Sequence, residues 1–533
     1  MQLTRKQLHE QVYFYTLILV AISLPLSIYT TSLFQILLSV NWLAEGRFRE
    51  KWNRLKNDRA LWVFLAFYLV HVVGVLWSQD STYYLQDMRI KLPFLLLPLV
   101  VVTSIPLLKT QMNRILLFFS LGVFAASMAS VMKLIGWIPG EVEGYRDLSL
   151  FMSHIRFSLM IVLTLLIIVY FLFIHRNSIT RAERIFYMSG LIWFPVFLVL
   201  LKSLSGIVIA GFLAFVMLVQ AAFKIRDKVI RFMVLIPVIL IPVLAIIYLG
   251  HSINKFYTFD EIKPGDIDDY TAEGNPYKNH SELREVENGH YVWLHVCDEE
   301  MEREWNHVSE IDYEGRTTNG NTIRGTLIRF LTSKDLRKDA TGIRELSPAE
   351  IRAIEHGTAN HIYMQRFRLY PRIYEVIWEI DRYRMGYDPN EKSVVQRYLY
   401  LDAGWKIARE HLFIGVGNGD VDEVFRNYYE STNSPLDEKW RRRAHNQYLT
   451  LLISFGIPGL IICLIALVAP VFVANRQRSF MTVGFLILML LSMFNEDTLE
   501  TACGATFVAF FYSLFVFGPE TSWLSRKRSS SDE

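Results

Sequence analysis

The sequence predicts an all-α polytopic membrane protein of about twelve transmembrane helices, with a mixed, mainly helical insert between the ninth and tenth spans. Three observations carry this expectation. Hydrophobic residues make up 52% of the 533, and the mean hydropathy is +0.25. They are gathered into runs of about 15 to 22 residues, the length that crosses a bilayer with or without tilt. One long stretch near the C-terminal end changes instead to charged and aromatic residues with scattered glycine, a composition that folds in water.

The spans fall near residues 11–28, 31–44, 60–77, 92–105, 115–136, 153–174, 185–201, 206–223, 232–250, 447–474, 480–495 and 502–518, the second and fourth being short. Arg5 and Lys6 before the first run resemble the start of a signal peptide, but further apolar segments follow at once, as for an uncleaved first span. Three organisational segments follow: 1–250 with nine spans, 251–446 as the insert, and 447–533 with three spans and a basic tail.

Orientation is read from Lys and Arg in the short connections. Arg47 to Arg59, Arg176 to Arg184, Lys224 to Arg231, Arg476 with Arg478, and the tail Arg526, Lys527 and Arg528 share one side when every span is counted. That side is expected to be cytoplasmic. Both termini are then inside, and the insert is periplasmic in a bacterial inner membrane. Arg89, Lys91, Arg146, Arg156 and Lys202 lie at the opposite ends of spans, where a cation either snorkels to lipid phosphate or rims a site for an anionic substrate. The formal net charge of +3 and the dispersed basic residues exclude a nucleic-acid surface. Cys297, Cys463 and Cys503 form no disulfide framework or paired metal motif.

Within the insert, alternation in Tyr291-Val-Trp-Leu-His-Val296 and the Asn319-Gly320 pair predict a small strand-rich piece up to about Thr326. Ser347-Pro-Ala-Glu350 predicts a capped helix start, Ile373, Val376, Ile377 and Ile380 a helix face, and Arg397 to Glu410 an amphipathic helix. Gly415-Val-Gly417-Asn-Gly419 lacks the strand, the third-glycine spacing and the following Lys-Ser/Thr of a phosphate loop, and is read as a turn. Behind Arg441, Arg442 and Arg443, His445 and Asn446 stand where the chain returns to apolar sequence. Glu496 and Glu500, four residues apart, bring carboxylates to the same side of the membrane.

His445-Asn-x-Tyr-Leu with its Phe-Gly-Ile-Pro-Gly continuation, the preceding Gly-Val-Gly-Asn-Gly, and Ser203-Leu-Ser205-Gly206 opening a span resemble the O-antigen ligase/polymerase superfamily. The resemblance covers the order of spans over most of the chain, and its motifs concentrate in Gln396 to Gly459. It implies a glycosyltransferase that moves a glycan from undecaprenyl pyrophosphate to an acceptor, lipid A core first, with no nucleotide sugar, metal or other cofactor. An inverting outcome is implied by the resemblance alone. By the same resemblance Arg397 matches the family's insert arginine for pyrophosphate, and His445 activates the acceptor hydroxyl, roles that suit a guanidinium and a neutral imidazole. Lys202, Arg156, Arg443, Arg89, Lys91, Asn446 and Glu496 complete the candidate substrate-binding set. The family's arginine near the span opening at Gly206 is absent here, where the chain reads Lys202-Ser203-Leu204-Ser205; Lys202, Arg156, Arg89 and Lys91 are the candidate replacements. Residues 258–326 exceed what the family needs.

Alternatives are a polymerase that extends the glycan on its carrier, a protein-directed oligosaccharyltransferase, a receptor or scaffold, and a secondary transporter. The transporter reading expects related halves and charges in mid-span, whereas the charges here lie at span ends.

Overall fold

The computed structural model describes residues 4–139, 148–259, 267–280, 285–365, 368–473 and 479–518. Arg146, Arg476, Arg478 and the basic tail therefore lie outside the described residues.

The chain is mostly helical, and each of the apolar stretches read from sequence lies on a helix. Among the described residues, seven helices are long and apolar enough to cross a membrane: Arg59–Leu76, Lys109–Leu134, His154–Ile174, Arg181–Leu200, Leu204–Lys224, Lys228–Tyr257 and Gln447–Val468. Phe480–Asn495 and Ala502–Phe517 are equally apolar but shorter. Pro93–Thr103 is shorter still, and begins on a proline that needs no N–H partner in the first turn. Aromatic packing joins these elements, as where Phe64 stacks on Tyr512 with centroids 4.4 Å apart and Phe119 meets Phe511 edge-on at 4.6 Å.

Two compact units emerge. One comprises residues 1–231 with 396–533, the other 232–395. Residues 396–446, which composition groups with the insert, pack with the membrane-type helices because their apolar side chains share a core with them. Tyr400, Ala403, Ile407, Phe425 and Tyr429 are buried together with Leu452 and Ile453.

In the second unit the capped helix begins as expected. Ser347 accepts from the Glu350 N–H, the Glu350 side chain returns to the Ser347 backbone, and Pro348 stands in the first turn. The expected strand-rich piece is corrected. Only Val286–Glu287 and His290–Tyr291 pair as strands among the described residues, and the alternating stretch beyond them makes isolated bridges instead of a sheet. Its inward residues Val292 and Val296 are buried against helical Trp305, Leu327 and Leu331, so alternation records burial against helices, not strand pairing.

The helix Gln447–Val468 is broken inside its apolar length. Gly456 takes φ 65° and ψ −172°, and Pro458 lacks an N–H to donate. The carbonyls of Ile453 and Ser454 are thereby released. They accept instead from Val416 N (2.8 Å) and Gly417 N (2.9 Å), while Ile457 N donates to Leu412 O (2.7 Å). A backbone opened in apolar surroundings is thus resatisfied by one loop, as a membrane interior demands. The fit leaves no room for side chains at the contact. A Cβ on Gly415 would sit 2.4 Å from Phe455 N, and one on Gly456 would sit 2.6 Å from the Phe413 carbonyl, with φ at +79° and +65°.

We expect Gly456→Ala to lose at least about 1–3 kcal/mol of stability from backbone strain alone, before the clash is counted. Gly211→Ala, where a Cβ meets nothing within 4 Å, should be neutral or slightly stabilising. Thermal unfolding of both variants in nanodiscs checks the contrast.

Candidate functional site

The first unit gathers most of the candidate side chains around the loop that joins Phe480–Asn495 to Ala502–Phe517. The helix Gln447–Val468 starts beside it. Asn446 caps that helix by accepting from Leu449 N (3.0 Å), and its amide donates to Phe494 O (2.9 Å). His445, one residue earlier, is held in a left-handed conformation (φ 49°) and is partly exposed. Its Nδ1 lies 3.4 Å from Glu496 Oε1, and its ring lies 5.6 Å from that of Tyr400.

Glu496 is 7% exposed. Arg156, from the first turn of His154–Val169, brings Nη2 to 3.8 Å from the same Oε1. Arg397 is exposed and donates to Asn495 Oδ1 at 2.9 Å, and the Asn495 amide donates to Ser205 Oγ. Burial alone would raise the Glu496 carboxyl, but the hydrogen bond and charge of His445, then Arg156 and Arg397, hold it below the usual range.

A second set of charges lies beside the first. Lys91 is almost fully buried between Asp87 and Glu500, with Glu500 Oε2 at 2.8 Å. Gln447 donates to Glu500 Oε1 (2.7 Å) and accepts from Leu499 N (2.8 Å). Arg443 bonds Asp422, stands 3.6 Å from Glu500 Oε2 and lies 5.0 Å over the Tyr83 ring. Asn418 of the glycine loop donates to Asp87 Oδ2 (2.8 Å), which ties that loop to this network. Burial would raise Glu500, yet Lys91 and Arg443 depress it; burial and the neighbouring Glu500 push Asp497 up to about 6.

Glu496 and Glu500 are not one helical turn apart, as their spacing predicts. Glu496 is extended (φ −157°, ψ 149°) just past a helix end, and Glu500 closes a short 3-10 turn, so one carboxylate faces His445 and Arg156 while the other faces Lys91 and Arg443.

Two further expected residues are exposed. Arg89 is exposed, two positions from buried Lys91 and so on the opposite side of the helix Ser81–Lys91. Lys202 is exposed next to Ser203, the cap of Leu204–Lys224. Asp87, Gln447, Asn418 and Gln396 escaped the sequence reading. Only Asp87 carried a signal there, its spacing of four residues from Lys91.

Chemically, the cations divide by what already neutralises them. Lys91 has two carboxylates. Arg397 bonds a neutral amide, and Arg156 has one long contact with Glu496. Among the buried atoms that find no partner among the described residues are the donors Arg156 Nε, Gln396 Nε2 and Arg443 Nη2 and the acceptors Glu496 Oε2 and Asn418 Oδ1; the Trp77 and Trp440 indole nitrogens and the Tyr13 and Ser149 hydroxyls are the others. Buried polar atoms are ordinarily paired, so the open Nε of Arg156, beside Glu496, and the open Nη2 of Arg443, beside Glu500, are free to meet a ligand rich in acceptors.

Residues 358–464 match the family model described as O-antigen ligase. The match bears out the resemblance to the O-antigen ligase/polymerase superfamily and supports, at a coarse level, a glycosyltransferase-like enzyme acting on lipid-linked glycans in a membrane. No curated protein matches the chain significantly.

The raised Asp497 generates a signed expectation. A carboxyl whose folded pKa lies above its ordinary value of 3.8 stabilises the fold at acid pH, and that contribution is lost as pH rises through about 6. Asp497→Asn keeps the acceptor used by Thr450 Oγ1 and should gain in melting temperature over the parent more at pH 7.5 than at pH 4.5. A pair of melting curves at each pH reads the difference.

Proposed function

With an O-antigen ligase match at residues 358–464 as the premise, we propose that this protein transfers a glycan from undecaprenyl pyrophosphate to lipid A core at the periplasmic face of a bacterial inner membrane. In this reading about twelve spans cross the bilayer, both termini are cytoplasmic, and residues 251–446 lie outside with the ends of the last spans. The observation that carries it is the His445–Glu496 pair with Arg156 on the same carboxylate and Arg397 on the adjoining Asn495, Arg156 Nε being buried without a partner among the described residues.

The reaction needs a base at the acceptor and fixed positive charge at the leaving group. Glu496 holds the Nδ1 side of His445, which favours the tautomer with its proton there and leaves Nε2 to accept. The acceptor hydroxyl attacks the anomeric carbon and passes its proton to Nε2. The bond from that carbon to the pyrophosphate oxygen breaks with its electron pair on the leaving group. Arg397, Arg156 and the spare edge of Arg443 meet the charge that develops there, an arrangement that gains strength where water is excluded. Asn446 fixes the helix start that aims His445, and Lys91 holds Glu500 and through it Arg443. Arg89 and Lys202, exposed nearby in sequence, suit the lipid phosphate surface. The chemistry assigned to these residues requires no metal.

Glycan transfer in membranes should fall by about 10²–10⁴-fold in His445→Ala, the range expected for a general base, and by about 10²–10³-fold in Arg397→Ala; parental rates in both would sink the assignment. Deleting the gene separates the acceptors. Lipopolysaccharide without long chains, with polymer retained on its carrier, indicates the ligase. Caps of a single repeat unit indicate a polymerase.

A further inference from the structure

The second unit contains a cavity of about 530 Å³ that none of the catalytic candidates lines. Six aromatic rings surround it: Phe256, Tyr257, Phe259, Tyr291, Tyr374 and Trp378. Between them stand Glu285, Asn288, Asp381 and Arg382. The size falls within the roughly 300–1,000 Å³ of small-molecule sites.

The lining selects the class of occupant. An acyl chain would bury against the rings but would lay hydrocarbon on the Glu285–Arg382 ion pair and take the partly exposed Asp381 carboxylate out of water with nothing gained in exchange. A phosphate or other anion would meet two carboxylates against the single guanidinium of Arg382, whose charge is already engaged by Glu285 Oε1 at 2.8 Å. A neutral saccharide meets neither penalty. Its C–H faces stack on aromatic rings, and its hydroxyls both donate to carboxylates and accept from amide and guanidinium groups.

The walls are also held in place before anything binds. Arg382 lies 5.2 Å over the Trp378 ring and 4.4 Å over the Tyr387 ring while it bonds Glu285, and Trp293 Nε1 fixes the other Glu285 oxygen at 2.9 Å. Tyr374 donates to Glu287 at 3.0 Å and packs on Phe256 with centroids 4.9 Å apart. A pocket ordered in this way loses little entropy on binding.

We propose that this cavity binds a neutral stretch of oligosaccharide, two or more sugar residues long. Assigning that stretch to the transferred glycan rests on the glycan-transfer reading above; the binding itself does not. Its wall joins Phe259, Glu285, Asn288 and Tyr291, from the stretch that exceeds the family pattern, to Tyr374, Trp378, Asp381 and Arg382, from within the family match.

The test uses the full-length protein in nanodiscs free of glycoside detergent. Saturation-transfer NMR is recorded against neutral oligosaccharides of two to four residues, built from hexoses, 6-deoxyhexoses and N-acetylhexosamines, with inorganic phosphate and phosphatidylglycerol as competitors. We expect at least one neutral oligosaccharide to bind, at least tenfold weaker binding in Tyr291→Ala and Trp378→Ala, retention in Trp378→Phe, and no competition by phosphate or phosphatidylglycerol. Should Trp378→Ala not fold, Tyr291→Ala and Asp381→Asn, at partly exposed positions, carry the comparison. Absence of binding across the set, or equal binding by parent and Tyr291→Ala, overturns the proposal. So does displacement by phosphate or by phosphatidylglycerol, which would assign the cavity to an anion or a lipid. Transfer activity measured on the same preparation separates the two ideas: saccharide binding without glycan transfer removes only the function proposed above, and transfer without binding removes only this cavity's role.

Discussion

The arrangement of the first unit depends on one exchange of backbone hydrogen bonds. Gly456 and Pro458 open the helix Gln447–Val468, and the freed carbonyls of Ile453 and Ser454 are taken by Val416 and Gly417, with Ile457 returning to Leu412. In surroundings without water, each of these groups left alone would cost several kcal/mol, of the order of ~2–7 for an amide without a compensating bond. The two glycine-rich motifs are therefore two halves of one joint. Its consequences run in both directions along the chain: Asn418, just past the loop, reaches Asp87, and the helix start ahead of the break carries Asn446 and Gln447 to the Glu496–Glu500 turn.

From that turn the charges sort themselves by partner. Glu500 is surrounded by Lys91, Arg443 and Gln447, a largely closed network from which Arg443 keeps Nη2 without a partner among the described residues. Glu496 is left with the imidazole of His445 and a long contact to Arg156, and keeps one oxygen without a partner among the described residues. The closed network fixes geometry, and the open one retains capacity for chemistry. Asn495, next to Glu496, bonds Arg397 on one side and Ser205 on the other, so the run opening at Ser203 meets the last part of the insert through a single amide.

Much of this was legible from the sequence because it rests on local chemistry. The apolar runs, the Ser347 cap with Pro348 and the glycine turn each follow from one residue's conformational preference or one segment's period. Arg156 and Glu496 stand out by residue type at span ends, and Arg397 and His445 through the family resemblance; His445 and Arg156 both meet Glu496, and Arg397 bonds the adjoining Asn495. What could not be read was set by tertiary contacts. Periodicity places Glu496 and Glu500 on one face, but a span ends between them and turns them apart. Alternation at 291–296 reads as strand, but its inward residues bury against helices. Lys91 looks like a free cation until Asp87 and Glu500 are seen on either side, and Gln447, Asn418 and Gln396 are ordinary amides whose burial no local pattern announces.

The central claim is that the donors left open around the His445–Glu496 pair receive a pyrophosphate. A cryo-EM structure of the full chain with undecaprenyl pyrophosphate bound tests it most directly. Phosphate oxygens are expected within hydrogen-bond distance of Arg156, Arg397 or the spare edge of Arg443, with His445 facing the adjacent space. Density for the pyrophosphate elsewhere on the protein, with these three arginines uncontacted, would contradict it.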